Sequence, residues 1–124
     1  MRRTRNGGGD VSLKWPDVHV RLASADDADP IAAVILAAFR DFEPLYTAQG
    51  FRATTPTAEE IALRLAEGPS WIALDDGQVV GTVSAIERAD EIYLRSMAVL
   101  PSARGRGIAK RLLQTVEALS LIHI

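Results

Sequence analysis

Near residue 70 the spacing of apolar residues changes from a helical to an extended pattern, and this change constrains the fold more than any other feature of the sequence. Between residues 24 and 67 apolar side chains recur at helical intervals, whereas from Trp71 to Leu100 they follow the patterns of extended strands. Residues 18–22 alternate apolar and polar side chains, which predicts another half-buried strand. The sequence therefore predicts a mixed α/β fold in which helices cover a largely antiparallel sheet.

Two helices are predicted after the first strand. The first follows a capping box at Ser24–Asp27 and runs to about Phe42. The second begins with a capping box at Thr57–Glu60 and ends before the Gly-Pro pair at 68–69. Between them, the proline- and glycine-containing segment 43–56 is predicted to be a long irregular connection.

Two turns, at Asp75–Gly77 and Arg88–Asp90, divide the extended region into three strands. A last helix is predicted to begin near Arg104 or Gly105. Its predicted inward positions are Ile108, Leu112, Leu113 and Val116. The predicted order of elements is β-α-α-β-β-β-α, without an internal repeat.

Composition and charge exclude several classes of function. The net charge of −2 gives no basic field for nucleic acid or an anionic membrane. There is no cysteine, and the two histidines, His19 and His123, lie far apart in the sequence, so no metal site is expected. No apolar run approaches the ~20 residues that span a bilayer, and no apolar stretch follows the basic N-terminus, so we expect a cytoplasmic protein. Residues 1–17 are predicted to be a disordered leader.

The segment Met97–Lys110 carries the candidate chemistry. A strand runs into a short turn, and Gly105 and Gly107 lie where the last helix begins. The first N–H groups of a helix have no intrahelical acceptor and lie at its positive end, so they attract anions. Glycine lets a phosphate approach the backbone, and three cations within 104–110 add positive charge. These features predict a pyrophosphate-bearing ligand.

The same segment fits other phosphate-binding motifs less well. A Rossmann fingerprint is disfavoured because Lys110 stands where its third glycine would be, and a P-loop is excluded by the absence of Gly-Lys-Ser/Thr. Glycines are common before helices, and exposed arginines are usually only solvated. The residues alone therefore leave open a helix–sheet interaction protein with a chance glycine turn.

The stretch Arg104-Gly-Arg-Gly107-Ile-Ala109 matches the pattern Arg/Gln-x-x-Gly-x-Gly/Ala. It resembles the acetyl-CoA motif of the GNAT superfamily of N-acetyltransferases. The preceding Leu94–Pro101 is similar to the fourth strand of that family. The resemblance extends over about residues 18–118 and implies a GNAT-like mixed, largely antiparallel sheet flanked by helices.

The resemblance implies that acetyl-CoA is the co-substrate and that a primary amine attacks it directly, with no metal and no covalent enzyme intermediate. Backbone groups of Met97, Ala98 and Val99 would hold the pantetheine arm, and the N–H near Met97 or Ala98 would stabilise the oxyanion. The implied cofactor-binding residues are Met97, Ala98, Val99, Arg104, Gly105, Arg106, Gly107, Ile108, Ala109 and Lys110.

The proton-transfer groups are less well determined by the sequence. Glu87 and Glu91 flank the turn before the fourth strand and are candidate general bases, although surface carboxylates are commonly only solvated. Tyr46 and Tyr93 do not match the tyrosine with which the family protonates the thiolate. The resemblance also leaves open a non-catalytic, acyl-CoA-binding GNAT-like module.

The acceptor and partners are predicted only by class. The connection at 43–56 corresponds to a part of the family that commonly shapes the acceptor site. Its aromatic and charged residues could recognise a substrate or could pack under the loop and face water. The expected acceptor is a small-molecule or peptide amine, with no nucleic acid and no membrane involved, and the full-length protein could form a homodimer.

The C-terminal residues depart from the family pattern. A complete GNAT domain continues with a fifth strand, another helix and usually two more strands. Leu119–Ile124 follows the last helix without a turn residue. Its codons can be written so that they resemble a transposase-based sequencing adapter. We therefore expect a partial GNAT domain at 18–118, a non-native tail at 119–124, and no activity of this chain by itself.

Overall fold

The computed structural model describes residues 18–122, with side chains to residue 118. The predicted leader at 1–17 and residues 123–124 of the predicted tail lie outside the described residues. The elements follow one another as β1 (Val18–Leu22), α1 (Ala28–Phe39), α2 (Ala48–Thr54), α3 (Ala58–Leu65), β2 (Ser70–Asp75), β3 (Gln78–Arg88), β4 (Glu91–Val99) and α4 (Ile108–Ile122).

The four strands form one antiparallel sheet in the order β1-β2-β3-β4. Asp76 and Gly77, both with positive φ (53° and 82°), form the two-residue turn between β2 and β3. This is the geometry of a type I′ turn, which favours Asp-Gly because both central residues need φ above zero. A second short turn, in which Ala89 has φ of 55°, joins β3 to β4. Both predicted turns are confirmed.

Apolar side chains cover both faces of the sheet. On one face, Trp71, Ala73 and Val83 pack with the apolar stripe of α4. The other face packs against α1 and α3, and Ile72 and Ala98 belong to that second cluster. The buried residues that the helices contribute are Ile31, Val34, Ile35 and Ile61 to the second cluster and Ile108, Leu112 and Val116 to the first. The sheet is therefore held between two helical layers.

The segment after α1 differs from the prediction. The first helix ends at Phe39, a 3₁₀ turn follows at Arg40–Leu45, and Phe42 is 43% exposed. The predicted irregular connection contains the additional helix α2, which begins because the Thr47 hydroxyl accepts a hydrogen bond from the Gly50 N–H at 3.0 Å. The glycine and prolines of this segment are typical of turns, so the sequence did not indicate this short helix.

Two predictions about α4 also need correction. The helix begins at Ile108 and not near Arg104, because Gly105 and Gly107 have φ of 83° and 75°, which are not helical values. Leu113, predicted to face inward, is 38% exposed because it lies at the margin of α4 beside the start of β4. Residues 119–122 continue α4. Local helix propensity suffices for such a continuation, so it does not bear on the expected origin of 119–124.

Candidate functional site

The backbone between β4 and α4 exposes a run of N–H groups. The first backbone hydrogen bond of the helix runs from the Arg111 N–H to the Gly107 carbonyl, at 3.1 Å. The N–H groups of residues 107–110 therefore precede the first helical bond and have no intrahelical acceptor. They lie at the positive end of the α4 dipole, where negative charge is stabilised.

Glycine at 105 and 107 is explained by backbone conformation. Their φ values of 83° and 75° lie in the left-handed region, which residues with a Cβ adopt only with strain. A Cβ built on either glycine would meet no other atom within 4 Å, so the space beside both residues is open. Open space beside a row of unpaired N–H groups fits a phosphate-bearing ligand.

An open cleft of about 330 Å³ lies between the end of β4 and the start of α4. Its walls bring together every predicted cofactor-binding residue except Arg106, and they add Ala103, which the sequence did not single out. The lining residues are Met97, Ala98, Val99, Ala103, Arg104, Gly105, Gly107, Ile108, Ala109 and Lys110.

The three predicted cations differ in their partners. Arg106 forms an ion pair with Asp75 at the end of β2, with Nη1 and Oδ2 2.7 Å apart, and does not line the cleft. Arg104 lines the cleft, and its Nη2 donates a hydrogen bond to the Ala38 carbonyl near the end of α1, at 3.0 Å. Lys110 is exposed and lines the cleft. Arg106 therefore holds the loop between β4 and α4 against the end of β2. Arg104 and Lys110 contribute positive charge at the cleft itself.

The backbone of β4 supplies the other wall. Within the described residues, β4 pairs with β3 alone. The Leu100 N–H donates to the Val80 carbonyl of β3 at 2.8 Å. Since the direction of backbone groups alternates along a strand, those of Ala98 also face β3, and those of Met97 and Val99 face the open edge. The oxyanion contact at Met97 or Ala98 stays a prediction, and this geometry favours Met97.

The candidate general bases lie at the opposite end of the β3–β4 hairpin. Glu87 stands opposite Ile92, and Glu91 receives a hydrogen bond from the Tyr93 hydroxyl at 3.1 Å. At ~3.4 Å per strand residue, Met97 lies about 17–20 Å along the strand from both positions. At that separation either carboxylate would reach a group at Met97 through intervening water, and its role as general base stays a prediction.

The predicted acceptor region, 43–56, contains the end of the 3₁₀ turn and the helix α2. Tyr46 and Phe51 contact each other, with ring centroids 6.3 Å apart. Arg52 forms an ion pair with Glu60 at 3.0 Å. Because Tyr46 stays 43% exposed, the contact does not bury its ring, and both alternatives for these residues stay predictions.

Residues 26–121 match the sequence model of the acetyltransferase (GNAT) family. The chain belongs to this family. Among curated protein sequences, none matches the chain at a significant level. The predicted fold class is confirmed, because the four-stranded antiparallel sheet with flanking helices superposes on solved GNAT structures.

Three solved structures illustrate the similarity. A GNAT family acetyltransferase from Brucella melitensis, in complex with acetyl-CoA, is 28% identical, with a TM-score of 0.66 over 83% of this chain and 68% of that chain. The PaiA N-acetyltransferase from Thermoplasma acidophilum, in complex with coenzyme A, is 16% identical, with a TM-score of 0.73 over 83% and 71%. An aminoglycoside acetyltransferase from an uncultured soil metagenomic sample is 21% identical, with a TM-score of 0.61 over 85% and 72%.

Two further observations concern residues 18–122 of this GNAT chain. None of their helices is long and apolar enough to cross a bilayer. Nor do these residues contain a group of three or more histidine, aspartate or glutamate side chains placed to hold a metal ion.

Proposed function

We propose that the full-length protein is an N-acetyltransferase that binds acetyl-CoA in the β4–α4 cleft of this GNAT chain and transfers its acetyl group to a primary amine. One observation carries the proposal: the unpaired N–H groups of residues 107–110 and the open backbone edge at Met97 and Val99 border the same cleft. The first feature suits a pyrophosphate. The second suits an extended amide-containing arm, which can bind to a strand edge as an added strand does.

Different residues of the cleft bind different parts of acetyl-CoA. The N–H groups of 107–110 and the Lys110 ammonium hold the pyrophosphate, and Met97 and Val99 hydrogen-bond to the pantetheine amides. The Met97 N–H is the donor available to the carbonyl oxygen of the acetyl group. A donor placed where negative charge develops lowers the barrier of acyl transfer.

The transfer itself needs one bond made and one broken. The neutral amine nitrogen attacks the thioester carbonyl, a C–N bond forms, the C–S bond breaks, and the sulfur leaves as the CoA thiolate. The thiolate takes up a proton to give CoA thiol, and the attacking nitrogen gives up one. Glu87 and Glu91 are too distant to accept it directly, so they could act only through a chain of water molecules.

A second function, the non-catalytic acyl-CoA-binding module, is favoured by a specific feature of the cleft. Among its lining residues in the described part of the chain there is no aspartate, glutamate, histidine or tyrosine. Thiol release from acetyl-CoA over a panel of amines, measured with the full-length protein, separates the two functions. Release that depends on the amine supports transfer, whereas binding of acetyl-CoA with no amine-dependent release supports the module.

Gly107→Glu tests the location of the binding site. The glutamate introduces a negative charge and a Cβ at a position with φ of 75°, beside the proposed pyrophosphate. The affinity for acetyl-CoA, measured by isothermal titration calorimetry, should fall at least tenfold, which is about 1.4 kcal/mol.

The matched control is Gly77→Glu. Gly77 has a similar φ of 82° and equally open surroundings, but it lies in the β2–β3 turn and does not line the cleft. It should lose comparable stability on heating and keep its affinity for acetyl-CoA. Equal affinities of the two variants would place the pyrophosphate elsewhere.

A further inference from the structure

A second pocket lies between α2 and α3, apart from the β4–α4 cleft. Its volume is about 300 Å³, which suits a small molecule or a single residue of a peptide. Its lining is polar and charged and consists of Gln49, Arg52, Ala53, Pro56, Glu60 and Arg64.

The negative charge of this pocket is already neutralised. Oε1 of Glu60 accepts hydrogen bonds from the Thr57 backbone N–H at 2.8 Å and from Arg52 Nη2 at 3.0 Å. The backbone bond, followed by the Arg52 bond, holds the pKa of Glu60 below its ordinary value. Next to the pocket, Arg95 of β4 is paired with Glu67 at 2.6 Å. Arg52 and Arg95 therefore both have carboxylate partners.

Arg64 is the cation of this pocket that has no ion-pair partner among the described residues. It is partly buried, and none of the ion pairs formed by the described residues includes it. Its hydrogen bond to a described residue is to the neutral Ser96 hydroxyl, from Nη1 at 3.3 Å. Burial, and then the charge of Arg95, lower the pKa of Arg64 from its usual value. A partly desolvated guanidinium with unused donors is suited to bind a carboxylate through two parallel hydrogen bonds.

The position of Arg64 connects this pocket to the proposed reaction. Ser96, its hydrogen-bond partner, directly precedes Met97, and successive Cα atoms are about 3.8 Å apart. The Met97 backbone faces the open edge of β4, beside the cleft. An anionic group held by Arg64 would therefore lie close to the amide proposed to bind the acetyl oxygen. In an α-amino acid the amine and the carboxylate are separated by a single carbon, which matches this short span.

We propose that the acceptor amine carries a carboxylate and that Arg64 binds it, so that the substrate class is amino acids or short peptides with a carboxylate near the reacting amine. This inference rests on the proposed acetyltransferase function. Because the pocket is small, a free amino acid fits it better than an internal segment of a folded protein. Arg64 acts by positioning the acceptor, and Met97 remains the contact to the acetyl group.

The test compares acceptors that differ only in the carboxylate. Acetyl-CoA-dependent thiol release is measured with amino acids, with their amides and with the corresponding decarboxylated amines, and separately with dipeptides. We expect kcat/KM to be at least tenfold higher for the carboxylates, mainly through KM. A higher kcat/KM for free amino acids than for dipeptides would identify the acceptor as a free amino acid. The reverse order would identify it as a peptide.

Variants connect this preference to Arg64. Arg64→Gln should lower kcat/KM for the carboxylates at least tenfold, toward the values of the amides and the decarboxylated amines, and Arg64→Lys should restore part of the preference. Arg40→Gln, which removes an exposed positive charge outside both pockets, is the control and should keep the preference. Equal rates with carboxylates and amides in the full-length protein without substitutions, or an equal loss with every acceptor in Arg64→Gln, would overturn the inference.

A binding measurement separates this inference from the proposed function. N-acetylglycine and N-acetylglycinamide, the smallest pair of products, are titrated in the presence of CoA and followed by NMR. The acid should bind at least tenfold more tightly, and Arg64→Gln should remove the difference. Failure to bind CoA would refute the proposed function, whereas CoA binding with equal affinity for the two products would refute the role of Arg64 alone.

Discussion

The cations of the segment 104–110 have different surroundings although they lie within one short stretch of sequence. Arg104 and Arg106 donate to the Ala38 carbonyl and the Asp75 carboxylate. Lys110 is exposed at the start of α4 and lines the cleft. Sequence could indicate that this segment is basic, but it could not assign these partners, because Ala38 and Asp75 are brought near only by the tertiary fold.

Replacing Lys110 with alanine should weaken acetyl-CoA binding more than replacing Arg106. Loss of an exposed ammonium next to the pyrophosphate should lower the affinity roughly three- to tenfold and make it less sensitive to salt. Arg106→Ala should have a smaller effect, because its guanidinium is paired with Asp75. Calorimetric titrations of the two variants at low and high salt measure the affinity and its dependence on salt. A larger loss in Arg106→Ala would mean that Arg106 turns into the cleft when the ligand binds.

Among the elements, those with local signals were predicted best. The Asp-Gly turn and the capping box at Thr57–Glu60 depend on neighbouring residues and are present in the structure. The start of α4 was misplaced by several residues, because apolar periodicity does not reveal the positive φ of Gly105 and Gly107. The end of α1 was misplaced because the chain continues as a 3₁₀ turn at Arg40–Leu45, which periodicity does not distinguish from an α-helix. The inward stripe of α4 was predicted from its periodicity, but the close approach of α4 to the sheet had no local signal, because it depends on Gly81 of β3.

Gly81 allows α4 to approach the sheet closely. A Cβ at this position would lie 3.0 Å from Ile108 Cγ2 and 3.3 Å from Leu112 Cδ1. Gly81→Ala should therefore force α4 outward, cost about 1–3 kcal/mol of unfolding free energy, and weaken acetyl-CoA binding by moving the first turn of the helix. Denaturant unfolding and calorimetry measure the two effects.

A double-mutant cycle identifies the cause. Ile108→Ala removes the side-chain atom that the new methyl group would meet first. The double variant should then be more stable than the sum of the two single losses predicts. Strict additivity would show that the Gly81 effect has another origin.

At the scale of the whole molecule, an ion pair joins β1 to the helical layer. The carboxylate of Asp27 accepts hydrogen bonds from Arg21 at 2.9 and 3.1 Å and from the Ser24 backbone N–H at 2.8 Å. The Arg21 bonds, which are the largest cause, hold the pKa of Asp27 below its ordinary value. The Arg21 side chain is 43% exposed, so solvent and salt moderate the pair.

This pair predicts how stability depends on acid. Since the pKa of Asp27 is lower in the folded state, its contribution is fully present above the unfolded pKa of about 3.9 and disappears as pH falls through the folded value. Asp27→Asn should therefore lower the melting temperature by a few degrees at pH 7 and hardly at all at the lowest pH at which the chain folds. Calorimetric melts across this range provide the measurement. An equal decrease at every pH would indicate that only packing was lost.

Strand β1 is separated from its partner by residues 23–69, whereas two-residue turns join β2 to β3 and β3 to β4. Closing a long loop costs more entropy than closing a short one, and local contacts are generally gained first in folding. The β2–β3–β4 meander should thus assemble early, and β1 should dock late, against β2 and against Arg111 of α4, which donates to the Val18 carbonyl. The strand edge proposed to receive the thioester would exist before the chain has finished folding.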